Sequence, residues 1–308
     1  MLGAYIVDKY RCLQHDAFDE DNLVKLGTTR LGHPVRINKT FFEADVKILT
    51  GFIEPHFFAG FSAGPKGILP SIAGFESVLT NHGADMIAHA DAVWGVTKGN
   101  PIWEEMLEAA KMANPTFVLN VSLNRDRQII GIFAGNMEAA HTKGCQFVKE
   151  VSMVPVAEPF DVVIATNAGY PLDQNLYQTV KGMSAAARVA REGGAIIIAA
   201  ECSDGIPDHG SYAKLLHESD SPVELLKRVE TTGFSCQDQW QVQIQARIQQ
   251  HAEVFVYADG LTDQQISDAL LTPTRDIEKT LADLSTVAGR PLSVCVLPEG
   301  PVTIPYLA

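Results

Sequence analysis

The residues best suited to chemistry crowd into one stretch, Glu54-Pro55-His56-Phe57-Phe58-Ala59-Gly60-Phe61-Ser62-Ala63-Gly64-Pro65-Lys66-Gly67-Ile68-Leu69-Pro70, followed by Thr80-Asn81-His82-Gly83. Gly60, Gly64 and Gly67 flank Ser62 and Lys66. Glycines let backbone N–H groups approach an anion closely, and hydroxyl and ammonium groups add to such a cradle. A nucleotide phosphate would suit it. A turn-rich connection with no ligand has the same composition. Neither GxxxxGK[ST] nor GxGxxG is present, so this is neither a Walker loop nor the dinucleotide fingerprint. His56 and His82 offer imidazole nitrogens, common ligands of zinc, nickel and copper. A lysine held near other cationic or apolar groups, as Lys66 would be, becomes a nucleophile or a covalent anchor. Spacing alone does not lift any of the nine histidines above a surface or core role.

The elements around this stretch alternate between strand and helix. The run from Val46 to Ile53 is strand-like, and so are Phe117 to Leu123 and Gln128 to Phe133. Met137 to Val151 reads as a helix. Val154-Pro155-Val156-Ala157-Glu158-Pro159 breaks the pattern and predicts a connector, which divides the chain into domains 1–153 and 154–308. Beyond it, Phe160 to Thr166 is a buried-type strand. Asn175 to Arg191 is a helix stopped by Gly193-Gly194, and Ala195 to Ala200 is a strand covered on both faces. Pro222 to Thr232 and Thr262 to Leu271 are predicted helices; Glu253 to Tyr257 and Leu292 to Leu297 are predicted strands. The alternation predicts an α/β fold: two domains with mainly parallel sheets flanked by helices. Asn167-Ala168-Gly169-Tyr170 would lie at the carboxyl end of a strand, where open α/β sheets bind ligands.

Bulk properties narrow the classes. A formal charge of −13 over 308 residues argues against nucleic-acid partners. The five cysteines are scattered without a CxxC pair, which predicts free thiols in a reducing compartment and no cysteine-based zinc site. No long apolar run predicts a membrane span, and Met1-Leu2-Gly3-Ala4-Tyr5 does not read as a signal peptide, so the expected location is the cytoplasm.

Three separated motifs carry a resemblance. The run from His56 through Gly60-Phe61-Ser62-Ala63-Gly64-Pro65-Lys66 to His82 closely resembles the lactate racemase family. So do Pro171-Leu172-Asp173-Gln174-Asn175-Leu176-Tyr177-Gln178-Thr179-Val180-Lys181-Gly182 and the ending Leu297-Pro298-Glu299-Gly300-Pro301. The resemblance implies a racemase or epimerase of a small, lactate-like 2-hydroxyacid. It further implies a nickel-pincer mononucleotide, made from nicotinic acid with two sulfur arms, as cofactor. Lys66 would carry it covalently through a thioamide, and His82 would ligate Ni(II) in a square-planar site. His56 would be one of two acid/base histidines. Tyr177, Gln178 and Lys181 would hold substrate, with Gln178 and Lys181 three apart on one helix face. Trp240 would pack beside cofactor and substrate, and Ser62, Gly60 and Gly64 would help bind the phosphate. The implied chemistry is proton-coupled hydride transfer from the substrate carbon to the cofactor and back to the other face. The implied partners are the substrate and the proteins that make the cofactor.

Members of this family carry a further N-terminal segment with an Asp-Leu-Thr-Arg-like motif and a His-Arg-Pro-like motif holding the second histidine; neither motif occurs here. His15 and His33 sit in contexts that do not match. The chain is then either part of a longer protein or a short homologue, whose half-built domain would expose apolar surface. A non-catalytic cofactor-binding homologue is the alternative function. A nicotinamide-dependent dehydrogenase is a third reading, opposed by the missing GxGxxG. Ala63 departs from the glycine usual beside Gly64, and would strain the loop if that position needs a positive φ.

Overall fold

The computed structural model describes residues 3–308; Met1 and Leu2, with which the expected first domain and the signal-peptide reading begin, lie outside the described residues. The strands in chain order are β1 Leu23–Thr28, β2 Pro34–Asn38, β3 Ile48–Phe52, β4 Pro55–His56, β5 Gly60–Phe61, β6 Phe117–Leu123, β7 Ile129–Gly135, β8 Met153–Val156, β9 Phe160–Thr166, β10 Ala190–Ala200, β11 Ala252–Ala258, β12 Thr272–Pro273, β13 Val294–Leu297 and β14 Ile304–Leu307. In the second half, a five-stranded sheet runs β12-β11-β10-β9-β13 with every pairing parallel. Its central strands are continuous apolar runs, as two covered faces require: Ile196, Ile197 and Ile198 of β10 are fully buried. In the first half, β3 and β6 pair in parallel and β6 and β7 antiparallel. The fold is the expected mixed α/β architecture, mainly parallel, with flanking helices.

Several local expectations need correction. Residues 153–156 form an edge strand paired in parallel with β14, not a plain connector. Edge strands tolerate proline because one row of N–H groups has no ladder partner. The helix expected to run to Arg191 ends at Ala187, and Gly193-Gly194 fall inside β10, where pairing with β9 slips between Ala190 and Ala195. The helices Pro101–Ala113, Gln239–His251 and Ile277–Ala288 have no counterpart among the predicted ones. The second of these hides its character because amides alternate with apolar residues around it and are buried with them: Gln239, Gln241, Gln243 and Gln245 are as buried as Val242, Ala246 and Ile248.

Buried side chains form two main clusters, one drawn chiefly from residues 35–148 and one from 163–297. Two helices are shared between them. Leu176–Ala187 sends Ala185 into the first cluster and Val180 and Met183 into the second. Gln239–His251 sends Trp240 against the first, and Val242 and Ala246 into the second. Residues on these helices therefore face the loop of the first half across a packed boundary. The β3-β6-β7 sheet is covered on one face only; its other face exposes Ile48, Phe52, Phe117, Leu119 and Ile132. Among the described residues no helix is long and apolar enough to cross a membrane.

Candidate active site

The lysine loop is shaped by close backbone approaches. Its first turn is the β4–β5 hairpin, in which His56 pairs with Gly60. Gly60 has φ +75°, and a Cβ there would meet the Val96 carbonyl oxygen at 2.1 Å. Gly64 has φ +51°, and a Cβ there would lie 2.4 Å from the His141 ring. Only glycine meets both demands at either place. Ala63 takes a positive φ, at φ 60° and ψ −159°, the condition under which it strains the loop. The short helix Gly64–Gly67 follows and presents Lys66. The Ser62 hydroxyl donates to the Phe52 carbonyl at 2.6 Å and accepts from the Glu54 N–H at 2.9 Å. Its hydrogen bonds tie the loop to its own backbone.

Three of the expected residues converge on one aromatic ring. The His56 ring lies edge-on to Phe58 at 4.5 Å, and the His82 ring approaches it at 5.0 Å. The Lys66 Nζ sits 5.8 Å from the centre of the same ring. Burial, then the charge of Lys181, lowers the Lys66 pKa to about 7, so a large fraction of the amine is unprotonated and nucleophilic at neutral pH. Burial, then Lys66, lowers His82 to about 3, which keeps its imidazole neutral. The neutral His82 donates Nδ1–H to the Val78 carbonyl at 3.1 Å. That bond fixes the tautomer and leaves the Nε2 lone pair for a metal, the usual arrangement of a ligating histidine. His56 is held well below its ordinary value by burial, then by Lys66, Lys181 and His82. Its Nδ1 accepts from the Ala59 N–H at 3.2 Å, so the neutral ring carries its proton on Nε2.

The second half supplies the facing wall. Asn175 caps the helix Leu176–Ala187 by accepting from the Gln178 N–H. Lys181 on this helix lines a cavity of about 80 Å³ with Glu54, His56, Ser62, Trp94, Leu172 and Pro301. Among the described residues Glu54 is the cavity's only carboxylate and Lys181 its only ammonium. Desolvation at the cavity raises the Glu54 pKa against the opposing pull of Lys181, although Glu54 also reaches solvent, and desolvation lowers Lys181 against the pull of Glu54. Trp240 packs edge-on against His82 at 5.1 Å, and its indole N–H donates to the Tyr177 hydroxyl at 2.9 Å. Tyr177 thus braces Trp240 and lies outside the cavity lining. Gln178 also lies outside that lining, although it shares the helix with Lys181. Asn167 is engaged structurally: its side chain accepts from the Gly182 N–H at 2.8 Å. Larger surface hollows of 400 to 520 Å³ on the second half contain none of the candidate residues.

Sequence reasoning missed Phe58, the ring on which the cluster is organised, and His141 behind Gly64. It also missed Glu54 as a cavity group, and Trp94, whose indole N–H donates to Ser184 at 3.0 Å across the boundary. His33 and His15 lie elsewhere, on Glu105 and on the Ala73 carbonyl. Among the described residues no group of three or more His, Cys, Asp or Glu side chains could hold a metal. A metal at His82 would therefore take its other ligands from a non-protein group. One open imidazole nitrogen and one nucleophilic lysine fit a metal-bearing organic cofactor anchored covalently.

Fold and site together define an α/β protein with a lysine–histidine pocket closed by helices from its second half. The lactate racemase N-terminal domain family matches residues 1–95, and the lactate racemase C-terminal domain family matches residues 156–304. The chain is 41% identical over 301 residues to a lactate racemase of Thermoanaerobacterium thermosaccharolyticum, covering 97% of this chain and 70% of the relative. It is 40% identical to a lactate racemase of Lactiplantibacillus plantarum, with the same shares covered. The solved lactate racemase apoprotein from T. thermosaccharolyticum superimposes with a TM-score of 0.90 at 41% identity, covering 94% of this chain and 70% of that one. A Thermotoga maritima protein shares the fold at a TM-score of 0.72 and 18% identity, covering 96% and 77%. The chain belongs to the lactate racemase family, a family of isomerases.

Proposed function

We propose that this chain racemises or epimerises a small 2-hydroxyacid of the lactate type, with a nickel-pincer nucleotide held by Lys66 and His82. The observation that carries this reading is the convergence of a nucleophilic lysine and a tautomer-fixed histidine on Phe58, beside a cavity that holds His56 and Lys181. Such a cofactor supplies reversible hydride acceptance when bound. The Lys66 amine is the covalent anchor, and His82 Nε2 is the protein's ligand to nickel. Gly60 and Gly64 would shape the loop that holds the cofactor's phosphate, with Ser62 bracing it. Trp240, braced by Tyr177, walls the cofactor side.

Lys181 would neutralise the substrate carboxylate, and Gln178, one turn earlier on the same helix, would hydrogen-bond the substrate oxygens. His56 holds its proton on Nε2, ready to give to a substrate oxygen. To take a proton there instead, the ring must shift its remaining proton to Nδ1 and give up the Ala59 bond. The first domain, 1–153, would then carry the cofactor and the second, 154–308, would contribute the substrate contacts. The working compartment is the cytoplasm, where cofactor-making proteins would load the chain.

One observation favours the non-catalytic reading: among the described residues, His56 is the only histidine lining the cavity. The test is to give the cofactor-loaded chain one enantiomer of lactate and follow optical activity. Interconversion that disappears in Lys66→Ala supports the racemase. A loaded chain that interconverts no 2-hydroxyacid supports cofactor binding without turnover. A chain that never takes up the cofactor rejects both.

A further inference from the structure

Behind the lysine loop lies a buried imidazole that the proposed chemistry does not use. His141 is on the helix Met137–Ser152 and is 1% exposed. Its Nε2 lies 2.8 Å from the Ser62 carbonyl oxygen. A carbonyl oxygen only accepts, so this nitrogen carries the ring proton. Burial keeps the ring neutral against the opposing effect of that bond. The Cys145 sulfur packs against the same ring, 3.5 Å from Nδ1 and 3.6 Å from Nε2, and burial keeps that thiol protonated. The ring also lies parallel to Trp103, at 6.3 Å and 15°.

The same ring occupies the space that Gly64 leaves bare, since a Cβ there would come within 2.4 Å of it. His141 thus holds the loop at both sides of the strained Ala63. The turn beyond is closed by the Lys66 N–H donating to the Ala63 carbonyl at 3.0 Å. Few backbone torsions separate the clamp from the lysine, so a shift at Ser62 or Gly64 is passed to Lys66. Packing alone would ask only for volume at position 141, whereas the imidazole adds a directed donor.

We infer that His141 is a positioning residue for the lysine loop: its hydrogen bond to Ser62 and its contact with Gly64 set where Lys66 presents its amine. This rests on the anchoring role proposed for Lys66, and its test requires no cofactor. The cofactor-free chain is acetylated with trace acetic anhydride across the neutral-to-alkaline range. Modification of Lys66 is read by peptide mass against exposed Lys98. In the unsubstituted chain the midpoint should fall at about 7. His141→Leu keeps most of the volume and removes the donor; its midpoint should rise by at least about one unit, roughly a tenfold loss of free amine at neutral pH. His141→Gln, which restores an N–H donor, should return the midpoint most of the way. Should His141→Leu not fold, Gly64→Ala, whose methyl displaces the ring, is read in the same way.

An unchanged midpoint in a folded His141→Leu protein, even with a lowered melting temperature, would reduce His141 to packing and overturn the inference alone. Equal shifts in the Leu and Gln variants would overturn the hydrogen-bond role. An ordinary lysine midpoint in the unsubstituted chain would instead remove the proposed environment of Lys66, and this inference with it.

Discussion

Ala63→Gly should stabilise this protein, against the usual direction of an alanine-to-glycine change. Ala63 sits at φ 60° and ψ −159°, a region essentially confined to glycine, where other residues store roughly 1–3 kcal/mol. Relief of that strain is offset by the loss of one partly buried methyl, about 0.8 kcal/mol. It is offset further by glycine's greater freedom in the unfolded chain, roughly 0.5–1 kcal/mol. With strain near the middle of its range, the balance is a gain of about 0.5 kcal/mol, and about 1.7 at most. The neighbouring reverse change, Gly64→Ala, has the opposite sign. It places a methyl at φ +51° and 2.4 Å from the His141 ring. The left-handed backbone costs roughly 1–2 kcal/mol and the overpacking roughly 1–3 more. Urea unfolding of both variants, followed by circular dichroism, reads the two signs on one scale. Destabilisation by Ala63→Gly of more than about 1 kcal/mol, or a neutral Gly64→Ala, would refute this account of the loop.

Other predictions follow from the same contacts. His82→Ala should keep the covalent adduct on Lys66 but lose most bound nickel, as metal analysis of the loaded protein would show. The folded pKa of Lys66, about 7, lies below its ordinary 10.5. Between these values the unfolded chain binds more protons, so this group makes stability rise with pH across that window, by at most about 1.4 kcal/mol per unit. Lys66→Met should flatten that slope in melts taken from neutral to alkaline pH; an unchanged slope would contradict the burial of the amine. Trp240→Phe removes the donor to the Tyr177 hydroxyl and should cost about 1 kcal/mol, read by urea unfolding. Ile132→Lys, on the uncovered sheet face and 64% exposed, should change stability by less than about 0.5 kcal/mol while reducing binding of a hydrophobic dye.

The lysine–histidine loop was legible in sequence because its glycines, lysine and histidines are contiguous or nearly so, and because the motifs carrying the family resemblance are local. The long apolar strands were equally legible; β6 and β9 occupy the expected residues. The Gln239–His251 helix was not, since buried amides interrupt the apolar period of Val242, Ala246 and Ile248. Gln243 donates to the Ala84 carbonyl and Gln245 to that of Ala269, both tertiary contacts without a hydrophobic period. Phe58 was in plain view between His56 and Lys66, but a phenylalanine in an apolar run does not announce that three polar groups will face it. The contact of His141 with Ser62 spans 79 positions, and nothing in the local sequence around either residue marks the pairing. The exposed apolar face of the β3-β6-β7 sheet was not legible, since its strands read simply as apolar runs.

The proposed roles of Lys66 and His82 turn on their holding a nickel-bearing organic cofactor. The direct test is intact-protein mass together with nickel content after co-production with the enzymes that build the pincer nucleotide. A covalent adduct mapping to Lys66, with about one nickel per chain, is the expected result. An unmodified Lys66 in protein exposed to the cofactor, or nickel bound equally well without His82, would contradict it.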